Sequence, residues 1–202
     1  MSPGSSGTAV DGRSARRERN SDAVLDAVHE LFVERRRIPN VEEVAARAGV
    51  SLRSVYRYFP DTGQLMAAAV ARRTRAVEED WVLAELGEGT LEERIDRFVD
   101  HRLSLHESSG PTIRAAFALA DTDPVIAAQV ERRRVQVAEQ TRQQFAPELA
   151  ALPPQQAAAV LACIEVLGQF ESMEQLRTRQ GLSRARAHEV MATGIRSLLR
   201  AG

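Results

Sequence analysis

Hydrophobic residues recur at spacings of three and four along most of the chain, and no segment alternates with the two-residue period of a strand. The first apolar stripe is formed by Val24, Val28, Leu31 and Phe32. This spacing places the four side chains on one face of a helix, which we predict from about Ser21 to Arg36. Similar spacing returns in later segments, so the pattern predicts an all-α fold.

The segment 40–59 contains signals for two short helices joined by a tight turn. Asn40 can cap the first helix, and Glu43 can complete a capping box by reaching back to its backbone. Gly49 follows where a helix often ends in a left-handed residue, which glycine adopts without strain. Ser51 can cap the second helix, whose apolar side chains can face the first. The segment therefore predicts a helix-turn-helix.

The second short helix presents hydroxyls, arginines and aromatic rings on its outward face. Those residues are Leu52, Arg53, Ser54, Arg57 and Tyr58, with Tyr56 at the flank. Such a surface suits a recognition helix in the DNA major groove, where arginine can fork onto guanine and hydroxyls can bond phosphates. The short motif alone also fits an ordinary helical hairpin with a solvated polar face, so a longer match is needed to separate the two.

The longer string from Val41 to Phe59, VEEVAARAGVSLRSVYRYF, resembles the DNA-binding segment of TetR-family transcriptional regulators. Residues 24–32 resemble the first helix of that family, and residues 65–70 resemble the start of its connecting helix. The chain departs from the family pattern at three positions. Arg53 stands where the family often has Gly, Ser54 where it commonly has Thr, and Thr62 where it often has Lys.

The resemblance implies an all-α fold with an N-terminal three-helix helix-turn-helix DNA-binding domain and a C-terminal helical ligand-binding and dimerisation domain. We expect a disordered basic arm at 1–19, which is rich in Gly, Ser and Arg, a DNA-binding domain at 20–66 and an effector-binding and dimerisation domain at 67–202. The implied function is sequence-specific transcriptional regulation, by a repressor that a small molecule releases from its operator. Two alternatives stay open: a DNA-binding regulator without a small ligand, and a helical enzyme with a repurposed helix-turn-helix.

Two kinds of residue are expected to touch DNA. Arg53 and Arg57 are candidates for base or phosphate contacts, while the hydroxyls would position the nucleic-acid backbone. Arg17 and Arg19 could reach the minor groove or the phosphates from the arm, although a solvated leader is the alternative reading. The predicted DNA-binding residues are Arg17, Arg19, Ser51, Leu52, Arg53, Ser54, Tyr56, Arg57, Tyr58 and Thr62.

Caps and prolines divide the rest of the chain into further helices. They are predicted from Thr62 to Trp81, from Thr90 to about Ser108, from Pro111 for a short length, and from Asp123 for a long one. The family resemblance implies that an effector lies among these helices. Aromatic or cationic residues that should face inward are Trp81, Phe98, His106, Arg114, Phe117 and Phe170. Each of them also fits plain core or a satisfied surface position.

The last two predicted helices indicate a second subunit. From Ala157 to Gly168 the chain is apolar on every side apart from Glu165, and such a helix must be covered all round. The final helix, capped by Ser183, carries another apolar stripe, so two copies of the pair predict a homodimer with a four-helix interface. Packing within one chain is the alternative. The predicted dimerisation residues are Val160, Leu161, Ile164, Gly168, Val190, Met191, Gly194, Ile195 and Leu198.

Composition changes this picture little. The 202 residues carry a net charge of −1, and the first 60 hold ten arginines against eight acidic residues, a small excess in the direction that DNA binding requires. The single cysteine, Cys163, indicates a reducing compartment and, within its apolar run, a buried position. Because no apolar run is long enough to span a membrane, we expect a cytoplasmic protein without a membrane partner.

Catalytic chemistry is not indicated by the sequence. His101 and His106 are five residues apart, which points them to different faces of a helix and is the wrong spacing for paired metal ligands. Neither a phosphate-binding glycine loop, a nucleophile elbow nor a cysteine pair occurs. We therefore expect no enzymatic activity, no cofactor and no metal. The expected partners are an operator in duplex DNA, an unknown small-molecule effector and a second copy of the chain.

Overall fold

The computed structural model describes residues 8–35, 37–76 and 79–200, and it contains ten α-helices and no strand over those residues. The first four helices are α1 (Thr8–Arg35), α2 (Val41–Ala48), α3 (Leu52–Tyr58) and α4 (Thr62–Ala76). A 3₁₀ turn at Glu79–Trp81 precedes α5 (Leu91–Ala120), α6 (Pro124–Gln144), α7 (Ala146–Ala150) and α8 (Pro154–Leu167). The chain ends in α9 (Phe170–Met173), a π-helical turn at Glu174–Arg179 and α10 (Arg184–Arg200).

The chain forms two compact units. The first takes in the residues up to Ala76 together with Arg114–Ala127, and the second takes in 77–113 and 128–202. The predicted boundary at 66 and 67 therefore differs from the boundary between these units. A segment from the middle of the chain also joins the first unit, which sequence patterns did not indicate.

The first unit has a small apolar core at its N-terminal end. Helix α1 packs against α2, α3 and α4, and α2 packs against α3. The side chains that fill this core are almost fully buried: Val24, Val28, Leu31, Val44, Val55, Leu65 and Met66. The stripe predicted for the first helix thus faces inward as expected, and it holds the two short helices in place.

The second unit is built around an aromatic pair and two glutamines. Phe98 and Phe145 are fully buried, with ring centroids 5.4 Å apart in an edge-to-face arrangement. Gln140 accepts a hydrogen bond from the backbone N–H of Leu83 at 3.1 Å and donates one to the carbonyl of Trp81 at 2.9 Å. Gln144, one turn later, does the same for Gly87 and Arg94, and the two side chains thereby fix the loop before α5.

Two helix boundaries differ from the prediction. Helix α1 begins at Thr8, so residues 8–19 are helical where we expected a disordered arm; residues 1–7 lie outside the described part of the chain. These residues carry no apolar stripe, and extending an existing helix costs far less than starting one. Helix α5 also continues through Pro111, and the neighbouring Ser109, Thr112 and Ile113 are buried.

Two further expectations are corrected in the second half of the chain. Helix α4 ends at Ala76, so Trp81 lies in a separate 3₁₀ turn and not on that helix. Cys163 is exposed, although its apolar surroundings predicted burial. Val160 and Ile164 of the same helix are the buried residues. Because α8 is apolar all round, its sequence does not reveal which face turns inward.

Candidate nucleic-acid interface

The turn between α2 and α3 is fixed by local hydrogen bonds. Asn40 Oδ1 accepts from the backbone N–H of Glu43 at 2.8 Å, and Glu43 Oε2 accepts from the backbone N–H of Asn40 at 3.0 Å, so the predicted capping box is present. Gly49 closes α2 in the left-handed region, at φ 66° and ψ 29°. Ser51 Oγ then accepts from the backbone N–H of Ser54 at 3.2 Å and caps α3.

Glu43 also connects the end of α1 to the start of α2. Its carboxylate forms ion pairs with Arg35 and Arg37. The pKa of Glu43 lies below its ordinary value because Arg37 and the backbone N–H of Asn40 donate hydrogen bonds to it. Arg36, between the two arginines, lies outside the described residues. Basic residues at the end of α1 thus serve the internal structure of this unit.

Helix α3 turns one apolar side chain inward and its polar residues outward. Val55 is 1% exposed, whereas Leu52 is 38% and Tyr56 44% exposed. The remaining predicted contact residues of this region are exposed or half-buried: Ser51, Arg53, Ser54, Arg57, Tyr58 and Thr62. The structure therefore brings the predicted contact residues of α3 together on one accessible surface, which we call the α3 surface.

Arg57 and Tyr58 support each other within the α3 surface. Arg57 Nη2 donates to the Tyr58 hydroxyl at 2.9 Å, and its guanidinium carbon lies 5.1 Å from the Tyr58 ring centre. Burial raises the pKa of the Tyr58 phenol, but hydrogen bonds with Arg57 and Asn20 and the charges of Arg57 and Arg17 outweigh it, so the pKa is lowered. These contacts place Asn20 and Arg17 of α1 beside α3.

Arg17 and Arg19 are exposed on α1. Because both belong to a helix, they would meet phosphates as part of its surface and not from an extended arm in the minor groove. Their predicted role in DNA binding stays a prediction, with this change of geometry.

Arg47 differs from the arginines of the α3 surface in having carboxylate partners. Arg47 forms ion pairs with Glu34 at 2.6 Å and Glu30 at 3.1 Å, so acidic residues already neutralise it. Arg53 and Arg57 have no carboxylate partner among the described residues. Uncompensated cations on an exposed helix leave their donors available for phosphates or guanine edges.

The predicted effector residues divide between the two units. Arg114 and Phe117 belong to the first unit, and the other four belong to the second. Within the second unit His106 Nε2 lies 3.0 Å from Glu174 Oε2, and its ring centre lies 5.1 Å from that of Phe170. Trp81 is half-buried beneath the guanidinium of Arg133, 5.2 Å away. The structure thus joins His106 with Phe170, and their ligand-binding role stays a prediction.

Sequence reasoning missed Arg102 as a candidate site residue. Its side chain is only 3% exposed, and its guanidinium carbon lies 4.8 Å from the ring centre of Phe98. Burial lowers the pKa of Arg102 to about 10, so the side chain stays charged at neutral pH. The signal was present in the sequence, because Arg102 interrupts the apolar stripe that includes Ile95, Phe98 and Leu105.

The predicted dimerisation residues do not all lie on an accessible face. Val160, Ile164, Met191 and Ile195 are at most 8% exposed and form part of the core of their own chain. Gly168 is also buried, and a Cβ there would lie 2.8 Å from the Phe98 ring. These five residues thus pack within their own chain, where α8 and α10 pack on each other, and their role in dimerisation stays a prediction.

Other side chains form the accessible face of α8 and α10. Val166 is 65% and Val190 39% exposed, and the remaining small residues on this side of α8 are Ala158, Ala159, Ala162 and Cys163. Leu161, Gly194 and Leu198 are half-buried, and the two leucines pack against the core of their own chain. We call this face the α8 surface.

The described residues form neither a metal-binding cluster nor a membrane-spanning helix. Over the described residues, no three histidine, cysteine, aspartate or glutamate side chains come close enough together to hold a metal ion. None of the described helices is both long and apolar enough to cross a membrane.

The segment that contains the α3 surface matches a known family of proteins. Residues 39–69 match the family model for bacterial regulatory proteins of the tetR family. No curated protein matches the sequence significantly. The fold is similar to that of a TetR-family transcriptional regulator from Streptomyces coelicolor, with 24% identity, a TM-score of 0.64 and coverage of 92% of this chain and 80% of the other.

Two further solved structures share the fold. A transcriptional regulator from Rhodococcus sp. RHA1 is 20% identical, with a TM-score of 0.60 and coverage of 92% of this chain and 96% of the other. The multidrug binding protein EbrR, complexed with imidazole, is 19% identical, with a TM-score of 0.50 and coverage of 89% and 94%. These three solved structures are thus of two transcriptional regulators and a multidrug binding protein. Residues 39–69 therefore match the tetR family model, and the helical fold is similar to that of solved TetR-family transcriptional regulators.

Proposed function

We propose that this protein is a cytoplasmic, homodimeric repressor that binds a specific operator through α3 and leaves it when a small molecule binds the second unit. The observation that carries the proposal is the α3 surface, where Arg53 and Arg57 are exposed and have no carboxylate partner among the described residues. This surface lies within the segment that matches the tetR family model. An exposed helix whose guanidinium groups are not neutralised by carboxylates is suited to the major groove.

A dimer explains how two short helices could select one operator. Two copies of α3 related by a two-fold axis would read two half-sites about 34–36 Å apart, or a multiple of that distance. The α8 surface is the proposed contact between the copies, because it exposes Val166 and several small residues that allow close helix approach. The half-site spacing would then depend on how the two chains associate.

Small-molecule control is the part of the proposal that concerns the second unit. One protein of the same fold is a multidrug binding protein that was solved with imidazole, which motivates a ligand here. A ligand that favours a dimer with the wrong α3 separation would weaken operator binding. A coupling of about 1–3 kcal/mol between the two sites is typical of such regulation.

A gel-shift titration with DNA that flanks the protein's own gene tests operator recognition. We expect that Arg53→Ala and Arg57→Ala each weaken binding, by about 1–3 kcal/mol where the arginine contacts a guanine. Arg186→Ala is the matched control, since Arg186 is an exposed arginine that pairs with Glu189 on α10. Equal affinity for random duplex, unchanged by either α3 substitution, contradicts operator recognition.

A further inference from the structure

We propose that Arg102 is the anion-binding residue of the effector site, and that the effector is a monocarboxylate with an apolar body. The inference rests on the proposed small-molecule control, and it names the chemical class of the ligand. Arg102 is a buried, charged side chain of the second unit, and its N–H donors have no hydrogen-bond acceptor among the described residues.

Arg102 is buried without a hydrogen-bonding partner. Its side chain is 3% exposed, and Nε, Nη1 and Nη2 all lie out of solvent with no acceptor among the described residues. The guanidinium lies over the Phe98 ring, with its carbon 4.8 Å from the ring centre. The pKa of this side chain is lowered by its burial. Buried charges in proteins are normally paired, because an unpaired one costs much more than a ring contact returns.

Arg94 is a second buried arginine on α5, and its side chain has partners within the chain. It is 5% exposed, two turns before Arg102 on α5. Its Nη1 donates to the carbonyl of Gly89 at 2.6 Å, and its Nη2 forms an ion pair with Glu148. Arg102 has neither kind of partner. The comparison indicates that the donors of Arg102 serve a molecule from outside the chain.

The surroundings of Arg102 suggest what that molecule contains. His106 lies one turn further along α5, and its Nδ1 is also buried without a hydrogen-bond partner while its Nε2 meets Glu174. Phe98 lies one turn before Arg102, and Phe170 stacks on His106. Two unused polar groups thus lie one turn apart on a helix face flanked by aromatic rings. One uncompensated cation matches one negative charge, which favours a carboxylate over a doubly charged phosphate.

Thermal-shift and calorimetric titrations of the full-length protein test the inference. The probes are benzoate, phenylacetate, hexanoate and decanoate, each measured against its uncharged primary amide. We expect at least one carboxylate to raise the melting temperature in a concentration-dependent way, and its amide to have little effect. In Arg102→Met we expect the affinity for that carboxylate to fall by about tenfold or more, since the charge-assisted bonds are lost.

The unliganded variant separates a ligand-binding role from a structural one. Arg102→Met should melt no lower than the wild type, because the substitution removes an unpaired buried charge and keeps apolar volume. A clearly lower melting temperature shows that Arg102 is structural and overturns the inference. Failure of every carboxylate to stabilise the wild type, or equal binding to Arg102→Met, overturns it as well. Arg184→Met is the matched control, since Arg184 pairs with Asp100 and Glu107 at the surface of the same unit.

Operator binding is measured in parallel without any probe. We expect Arg102→Met to retain operator affinity and to lose release by the carboxylate. If carboxylate binding depends on Arg102 but no variant recognises an operator, the regulatory function fails and the ligand assignment stands. If the operator is recognised and no carboxylate acts, the ligand assignment alone fails.

Discussion

At the scale of single residues, Gly49 is the position where backbone geometry limits substitution most clearly. Its φ is 66°, and a Cβ placed there would have no atom within 4 Å. Replacement by alanine therefore costs backbone strain without a steric clash, about 1–2 kcal/mol. We expect Gly49→Ala to lower the free energy of unfolding, measured by urea titration, by that amount. It should also weaken operator binding, because the α2–α3 turn changes.

Two other variants distinguish an effect of the α2–α3 turn on DNA binding from a general loss of stability. Gly181 also has a positive φ, 67°, with no atom within 4 Å of a Cβ, but it lies in the second unit. Gly181→Ala should cost a similar free energy of unfolding and leave DNA binding unchanged at temperatures where the protein is folded. Gly49→Asn should lose less than Gly49→Ala, since asparagine tolerates the left-handed region. Equal DNA binding by Gly49→Ala and the wild type argues against a precise turn.

At the scale of helices, the sequence revealed best those helix starts that a capping residue precedes. Asn40, Ser51 and Thr90 are followed by the predicted helices, and each side chain accepts a backbone N–H of the first turn. The same holds for Asp123 and Ser183. These signals are readable because a cap joins atoms only two or three residues apart.

The missed boundaries depended on information that is not local. The continuation of α5 past Pro111 and the orientation of α8 are decided by which faces find apolar partners elsewhere in the chain. For the same reason the predicted dimer contacts at Ile164 and Ile195 proved to be core positions. The outward residues of α3 were predictable, because a short capped helix with Val55 as its inward residue leaves only one arrangement for its polar side chains.

The buried ion pair between α5 and α7 provides a test at the scale of helices. Arg94 is 5% exposed, and Glu148 is its carboxylate partner. Glu148→Gln removes the negative charge and leaves the arginine buried, which we expect to cost about 3 kcal/mol in urea unfolding. The matched control is Glu139→Gln, whose partner Arg142 is exposed on α6, and its urea midpoint should not move. Equal effects of the two substitutions rule out a special role for the buried pair.

At the scale of the whole molecule, the proposed regulation requires two chains, and the exposed apolar side of α8 is where they would meet. Val166 is 65% exposed there, in a row of small residues. Val166→Glu places charges opposite each other across a two-fold contact, so we expect a monomer in sedimentation velocity. Loss of the second reading helix should lower operator affinity by about 100-fold, because the second binding event is no longer intramolecular.

Val135→Glu separates this effect from a general consequence of adding charge. Val135 is similarly exposed, at 61%, but it belongs to α6 and not to α8. It should leave both the sedimentation coefficient and the operator affinity unchanged. Since Val166 makes little contact with its own core, the helical circular dichroism of both variants should match the wild type. A folded Val166→Glu variant that stays dimeric would place the subunit contact elsewhere, and the half-site spacing would then have to be derived from that other face.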